Sequence, residues 1–132
     1  MSRRCLRKQW TLLYFWMDWC GPCVAEGIPK LIDFVNNHNA SQDRFRVIAI
    51  HARRPGDVAD WQRFHTSVTK FEHSVWKGTS PFPLVYDESG QMTSDWGIHS
   101  FPTGLLIDPQ GNLVQHGDLK MLQEKIDVKA PK

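Results

Sequence analysis

Cysteine is scarce in this chain: three residues in 132, an odd number. A fully paired disulfide framework is therefore excluded, and the count alone does not settle the redox compartment. Long apolar runs are also missing. The longest, residues 12–17, falls far short of the ~18 residues that a membrane-crossing helix needs. Residues 1–8 are basic, but no separate apolar core follows them, so no secretory signal is expected. Charge of either sign is not in excess. The formal net charge is +2, and the doublets Arg3-Arg4 and Arg53-Arg54 form no basic stripe, which argues against nucleic-acid binding. The six histidines, at 38, 51, 65, 73, 99 and 116, include no pair with the spacing of a His-x₃₋₅-His zinc arm, and there is no second Cys-x-x-Cys, so no metal site is expected. Val24 stands where a haem-attachment motif would require histidine.

What remains is an ordinary composition, 41% hydrophobic and 23% charged, long enough for one domain with a real core. One stretch stands out: Trp19-Cys20-Gly21-Pro22-Cys23. It lies behind a hydrophobic run and ahead of a helical pattern. Cys20 is thus placed at a helix start, where unpaired backbone N–H groups and the helix dipole favour a thiolate, the nucleophile of thiol–disulfide exchange. Cys23 follows one turn later, close enough to close a disulfide and release a bound partner. Pro22 sits in the first turn, where a missing N–H costs little. Cys5 has nothing nearby to activate it and reads as a spare thiol.

The pattern along the chain divides it into a polar lead-in (residues 1–9), a domain (10–128) and a tail (129–132). Residues 10–17 are nearly all apolar or aromatic, as expected of a central strand covered on both faces. Residues 20–38 read as a helix kinked by Pro29, with Val24, Ile28, Leu31, Ile32 and Val35 on one face. Residues 45–51 form a second strand. Pro55-Gly56-Asp57 is a turn with an N-cap candidate, opening an amphipathic helix marked by Val58, Trp61, Phe64, His65 and Val68. Residues 70–82 fit neither template. A short strand at 83–86, a short helix at 88–96, and a hairpin of strands 101–108 and 111–116 come next. Asp118 caps a last helix that buries Leu119, Leu122 and Ile126. This order implies an α/β fold, a mixed sheet with helices on both faces, with its site beyond the carboxyl ends of the parallel strands.

Phe15-Trp16-Met17-Asp18-Trp19-Cys20-Gly21-Pro22-Cys23 resembles the active-site segment of the thioredoxin superfamily, and Trp96-Gly97-Ile98-His99-Ser100-Phe101-Pro102-Thr103 resembles the segment that carries its cis-proline. Cys23-Val24-Ala25-Glu26-Gly27-Ile28-Pro29 and the run from Phe101 to Gly111 are similar to the bacterial membrane-anchored or secreted proteins related to TlpA and ResA. The resemblance spans residues 10–128 and implies a thioredoxin-like fold. It also departs from thioredoxin itself. Tyr14 occupies the place of a buried aspartate, so that group's proton-handling role does not transfer. The usual N-terminal strands are missing, which fits a trimmed domain or a variant with a bare sheet edge.

The resemblance implies a thiol–disulfide oxidoreductase. Cys20 attacks, Cys23 resolves, and Gly21-Pro22 between them favours the reducing direction. Substrates would be protein disulfides held along Trp19, Gly21, Pro22, Ser100, Phe101 and a cis Pro102. Glu26 is either an ordinary first-turn acid or the proton acceptor for Cys23. The redox-active disulfide would be the only cofactor, an unidentified thiol the electron donor, and the protein a monomer with no membrane span in this chain. Extracytoplasmic placement follows from the resemblance, with the cytoplasm as the alternative. Two rivals are a thiol peroxidase of the same fold, separated by peroxide turnover, and a copper-delivery module, separated by copper titration. The first would show Pro-x-x-x-Thr-x-x-Cys and the second a wider cysteine spacing with a partner histidine, and neither pattern occurs.

Overall fold

The computed structural model describes residues 8–38, 44–52 and 61–127. Within them a five-stranded sheet runs in the order β3-β2-β1-β4-β5. Strand β1 (Trp10–Trp16) lies in the middle. It pairs in parallel with β2 (Phe45–His51) and antiparallel with β4 (Thr103–Ile107). Strand β3 (Leu84–Tyr86) adds in parallel to β2, and β5 (Leu113–His116) closes the hairpin with β4. The near-continuous apolar run of β1 is explained by this place: Leu12, Leu13, Phe15 and Trp16 are all buried, alternately on the two faces. The place beside β2 is taken by β3, a strand from much later in the chain.

Helices α1 (Ile28–Asn37), α2 (Trp61–Ser74) and α4 (Leu119–Asp127) pack on one face, through Ile28, Leu31 and Val35, Phe64 and Val68, and Leu122 and Ile126 against Leu12, Trp16, Val47 and Leu106. On the other face Leu13, Phe15, Ile50 and Leu105 meet Ile98 and, from the short helix α3 (Gln91–Asp95), Met92. The buried Asp87 carboxylate starts α3 by accepting the Thr93 N–H (2.8 Å) and hydroxyl (2.6 Å) and the Met92 N–H (3.2 Å). Asp118 caps α4 as expected, accepting the Met121 N–H at 3.0 Å. The hairpin turn is held by the Asp108 carboxylate, which accepts from Gln110 and Asn112, with Gly111 at φ 87°.

Two expectations need correction. Trp61 and His65 were placed on the buried face of α2, but both are exposed. Trp61 opens the described helix and turns its ring onto Phe64 and His65 instead of the sheet. The first helix is also not a single α-helix bent at Pro29. Cys23–Gly27 forms a π-turn, and the regular helix begins at Ile28. The turn with Asp57, Val58 and the thiol of Cys5 lie outside the described residues.

Candidate active site

Three segments meet at one end of the sheet because of strand register. The parallel pairing of Trp16 with His51 aligns the carboxyl ends of β1 and β2. The antiparallel pairing of Phe15 with Thr103 brings the start of β4, and with it Phe101 and Pro102, to the same end. The dithiol leaves β1 there, as the strand order predicts.

A turn closed by the Cys20 N–H on the Met17 carbonyl (3.2 Å) leads out of β1. Cys20 and Cys23 are joined in a disulfide with their Cα atoms 5.2 Å apart. The Cys23 N–H points at the Cys20 sulfur, 3.3 Å away, and the Cys20 carbonyl accepts the Val24 N–H at 3.1 Å. Cys20 is thus the group at the helix start. It is 7% exposed and Cys23 is 0% exposed, so Cys20 is the more accessible of the two. Trp19, 55% exposed, stands beside it, and Gly21 and Pro22 are also exposed.

The π-turn leaves a carbonyl in need of a donor. The Ile28 N–H bonds to Cys23 O, and Pro29, the next candidate for Val24 O, has no N–H. The indole Nε1–H of Trp76 fills this place at 2.9 Å. Trp76 is buried and packs edge-on against Trp16. Residues 70–82, unreadable as sequence, therefore supply a brace to the turn that follows Cys23. Gly27 has its own requirement: a Cβ there would run into the Tyr14 hydroxyl, which is buried with no hydrogen-bond partner among the described residues. Burial raises the Tyr14 phenol to about 12.

The Phe101–Pro102 peptide bond is cis. Ser100 and Pro102 are exposed and Phe101 is half-buried, and the Thr103 hydroxyl donates to Ser100 O at 2.6 Å. Beside Pro102 a cleft of about 390 Å³ is lined by Leu12, Tyr14 and Gly104, with the exposed Lys30 and Lys120 at its sides. Glu26 is exposed on the π-turn.

Sequence reading did not single out His51 or Asp18 beyond strand and motif. His51 is buried, and its Nε2 accepts the Asp18 backbone N–H at 2.9 Å. Asp18 Oδ1 lies 3.5 Å from the same nitrogen, and Oδ2 accepts the Ser67 hydroxyl at 3.4 Å. Among the described residues, no three His, Cys, Asp or Glu side chains converge as a metal site would require. No described helix is long and apolar enough to cross a membrane.

A mixed sheet with a Cys-x-x-Cys disulfide at a helix start and a cis-proline alongside defines the thioredoxin-like fold. Within that class the chain belongs to the AhpC/TSA family, whose profile matches residues 2–116. It is 25% identical over 107 residues to sporulation thiol-disulfide oxidoreductase A of Bacillus subtilis, covering 81% of this chain and 58% of that protein. It is 29% identical over 119 residues to the thiol:disulfide interchange protein DsbE of Xylella fastidiosa, covering 89% and 51%. The crystal structure of StoA from Bacillus subtilis superposes with a TM-score of 0.64 at 27% identity, covering 84% of this chain and 74% of that one. The chain spans little more than half the length of these curated relatives.

Proposed function

We propose that this chain is a thiol–disulfide oxidoreductase that reduces disulfides of polypeptides. The observation that carries the reading is the Cys20–Cys23 disulfide itself, with the Cys23 N–H aimed at the sulfur of the more accessible Cys20. An N–H in that place stabilises a developing thiolate. In the reduced protein the Cys20 thiolate attacks one sulfur of a substrate disulfide. That S–S bond breaks, one substrate thiolate leaves and takes up a proton, and a mixed disulfide forms on Cys20. Cys23 loses its proton and attacks the Cys20 sulfur. The second substrate thiolate leaves, two electrons have passed to the substrate, and the Cys20–Cys23 disulfide is restored. A thiol reductant of unidentified nature returns the pair to the dithiol, and no further cofactor takes part.

Trp19, Gly21, Pro22, Ser100, Phe101 and Pro102 form the proposed substrate surface, along which an extended chain lies against backbone. The exposure of all of them but the half-buried Phe101 supports this, as does the cleft beside Pro102. Glu26 serves as the proton acceptor for Cys23 through water. Its exposure on the turn just after Cys23 gives it solvent contact but no direct bond to the thiol. The protein works as a monomer outside the cytoplasm, a placement that rests on the resemblance to TlpA- and ResA-related proteins.

The test is insulin reduction with dithiothreitol as electron source. Precipitation of the insulin B chain should start earlier with the protein present, and Cys20→Ser should remove the effect. A wild-type lag equal to that of dithiothreitol alone would sink the proposal.

A further inference from the structure

His51 is buried at the dithiol end of the sheet and has no part in the exchange chemistry just described. Its position is fixed from several sides. Its carbonyl accepts the Asp87 N–H at 3.0 Å, the Ala52 N–H next to it bonds to Trp16 O at 2.8 Å, and its ring meets the edge of Trp16 with centroids 5.0 Å apart. Phe64 from α2 and Tyr86 from β3 enclose the ring further.

A rigid imidazole here faces the turn at residues 17–20. The Cys20 N–H closes that turn on Met17 O, which leaves the Asp18 N–H to find an acceptor outside it. The acceptor is His51 Nε2 at 2.9 Å. This bond requires a lone pair on Nε2, so the ring is neutral when it forms. A proton on Nε2 would remove the acceptor. The protonated nitrogen would turn to Asp18 Oδ1, 3.5 Å away, and the Asp18 amide would be released.

We propose that His51 is a positioning residue for the dithiol: its Nε2 holds the Asp18 amide, and through that amide the turn that presents Cys20, only while the imidazole is neutral. The proposal rests on the reading of Cys20 as the attacking thiol.

The charged and titratable groups around the ring are consistent with a neutral form at physiological pH. Burial lowers the His51 pKa below its ordinary 6.5, and the Asp18 carboxylate opposes this without cancelling it. From α2 the neutral Ser67 hydroxyl is bound to Asp18. From β3 the Tyr86 ring packs on the imidazole, and the carboxylate of Asp87, which follows it, is occupied by Met92 and Thr93. The held turn is therefore the state at neutral pH, and it is lost as pH falls below 6.5.

The experiment follows iodoacetamide alkylation of Cys20 in the reduced full chain, together with insulin reduction, from about pH 5 to about pH 8. His51→Gln keeps an acceptor for the Asp18 amide but cannot titrate. His51→Phe keeps an aromatic ring and has no acceptor. We expect the wild-type rates to carry an inflection below pH 6.5 that His51→Gln lacks while its rates at the upper end are rescued, and His51→Phe to be about tenfold slower than wild type at the upper end, the scale of a slightly misplaced reacting group, with the two converging at the lower end. NMR of the oxidised wild type keeps the test independent of how the variants fold: the Asp18 amide should titrate with the same midpoint as the His51 ring. An Asp18 amide that stays fixed while His51 titrates overturns the proposal, as does a His51→Phe protein with the wild-type pH profile. Should the wild type fail to reduce insulin while Cys20 alkylation and the Asp18 amide both follow His51, the oxidoreductase reading fails and the positioning role stands.

Discussion

Trp76→Phe should destabilise the oxidised protein by about 2–4 kcal/mol. The first contribution is the Val24 carbonyl. It sits in a buried turn, its α-helical partner is committed to Cys23 O, and Pro29 offers no N–H. Loss of the 2.9 Å bond from the indole leaves it unpaired, which costs about 1–3 kcal/mol. The second is volume: a phenyl ring fills less of the space between Trp16 and Phe71, and a large-to-smaller change in a packed site adds about 1 kcal/mol or more. Against a domain stability of about 5–15 kcal/mol this shifts the folding equilibrium by roughly 30- to 1,000-fold. Urea unfolding read by far-UV circular dichroism should show the midpoint falling by about 1 M or more, given a slope of about 1–3 kcal/mol per M. Trp61→Phe, at an exposed ring, should stay within about 0.5 kcal/mol of wild type. A Trp76→Phe loss as small as that of Trp61→Phe would refute the assignment of the indole as the missing donor.

Four further outcomes are expected. Gly27→Ala should destabilise the fold because its Cβ meets the Tyr14 hydroxyl, and adding Tyr14→Phe should recover part of the loss; a double variant no better than Gly27→Ala by urea titration removes that explanation. Tyr14 is held neutral by burial, so its folded pKa lies above the unfolded value of 10.0, and its stabilising contribution is complete below pH 10.0 and lost as pH rises towards about 12; alkaline unfolding of Tyr14→Phe should lack this component, and identical alkaline curves would contradict it. Cys23→Ser should accumulate mixed disulfides with substrate, seen by mass spectrometry, while Cys20→Ser forms none; the reverse pattern would exchange the two roles. Glu26→Gln should lengthen the life of the mixed disulfide at neutral pH without slowing its formation, and equal lifetimes in rapid-quench experiments would leave Glu26 an ordinary surface acid.

Features set by neighbouring residues were legible in the sequence. The apolar run of β1 announced a strand buried on both faces, Asp108 to Asn112 announced a hairpin, and the spacing of Cys20 and Cys23 announced a dithiol at a helix start. The resemblance also led to the cis bond before Pro102. Features set by distant partners were not legible. Pro29 signals that some carbonyl lacks a donor, but nothing local says that the donor is an indole 52 positions beyond Val24. His51 looks like the last residue of a strand until register brings it beside Trp16 and the turn that follows. Apolar periodicity put Trp61 on the buried face of α2, but periodicity cannot tell that its ring turns towards its own helix.

The central place of β1 divides the site between the two ends of the chain's history. The dithiol follows β1 directly, but the wall formed by Phe101 and Pro102 reaches it only through the ladder that pairs Thr11 with Ile107 and Phe15 with Thr103. Closing that ladder joins segments about ninety residues apart, the kind of contact that forms slowly because a long loop must be ordered first. A chain still emerging from the ribosome therefore holds both cysteines well before it holds the surface proposed to receive a partner. Reactivity towards a small alkylating agent can precede recognition of a polypeptide, and the delay between the two would time the docking of β4.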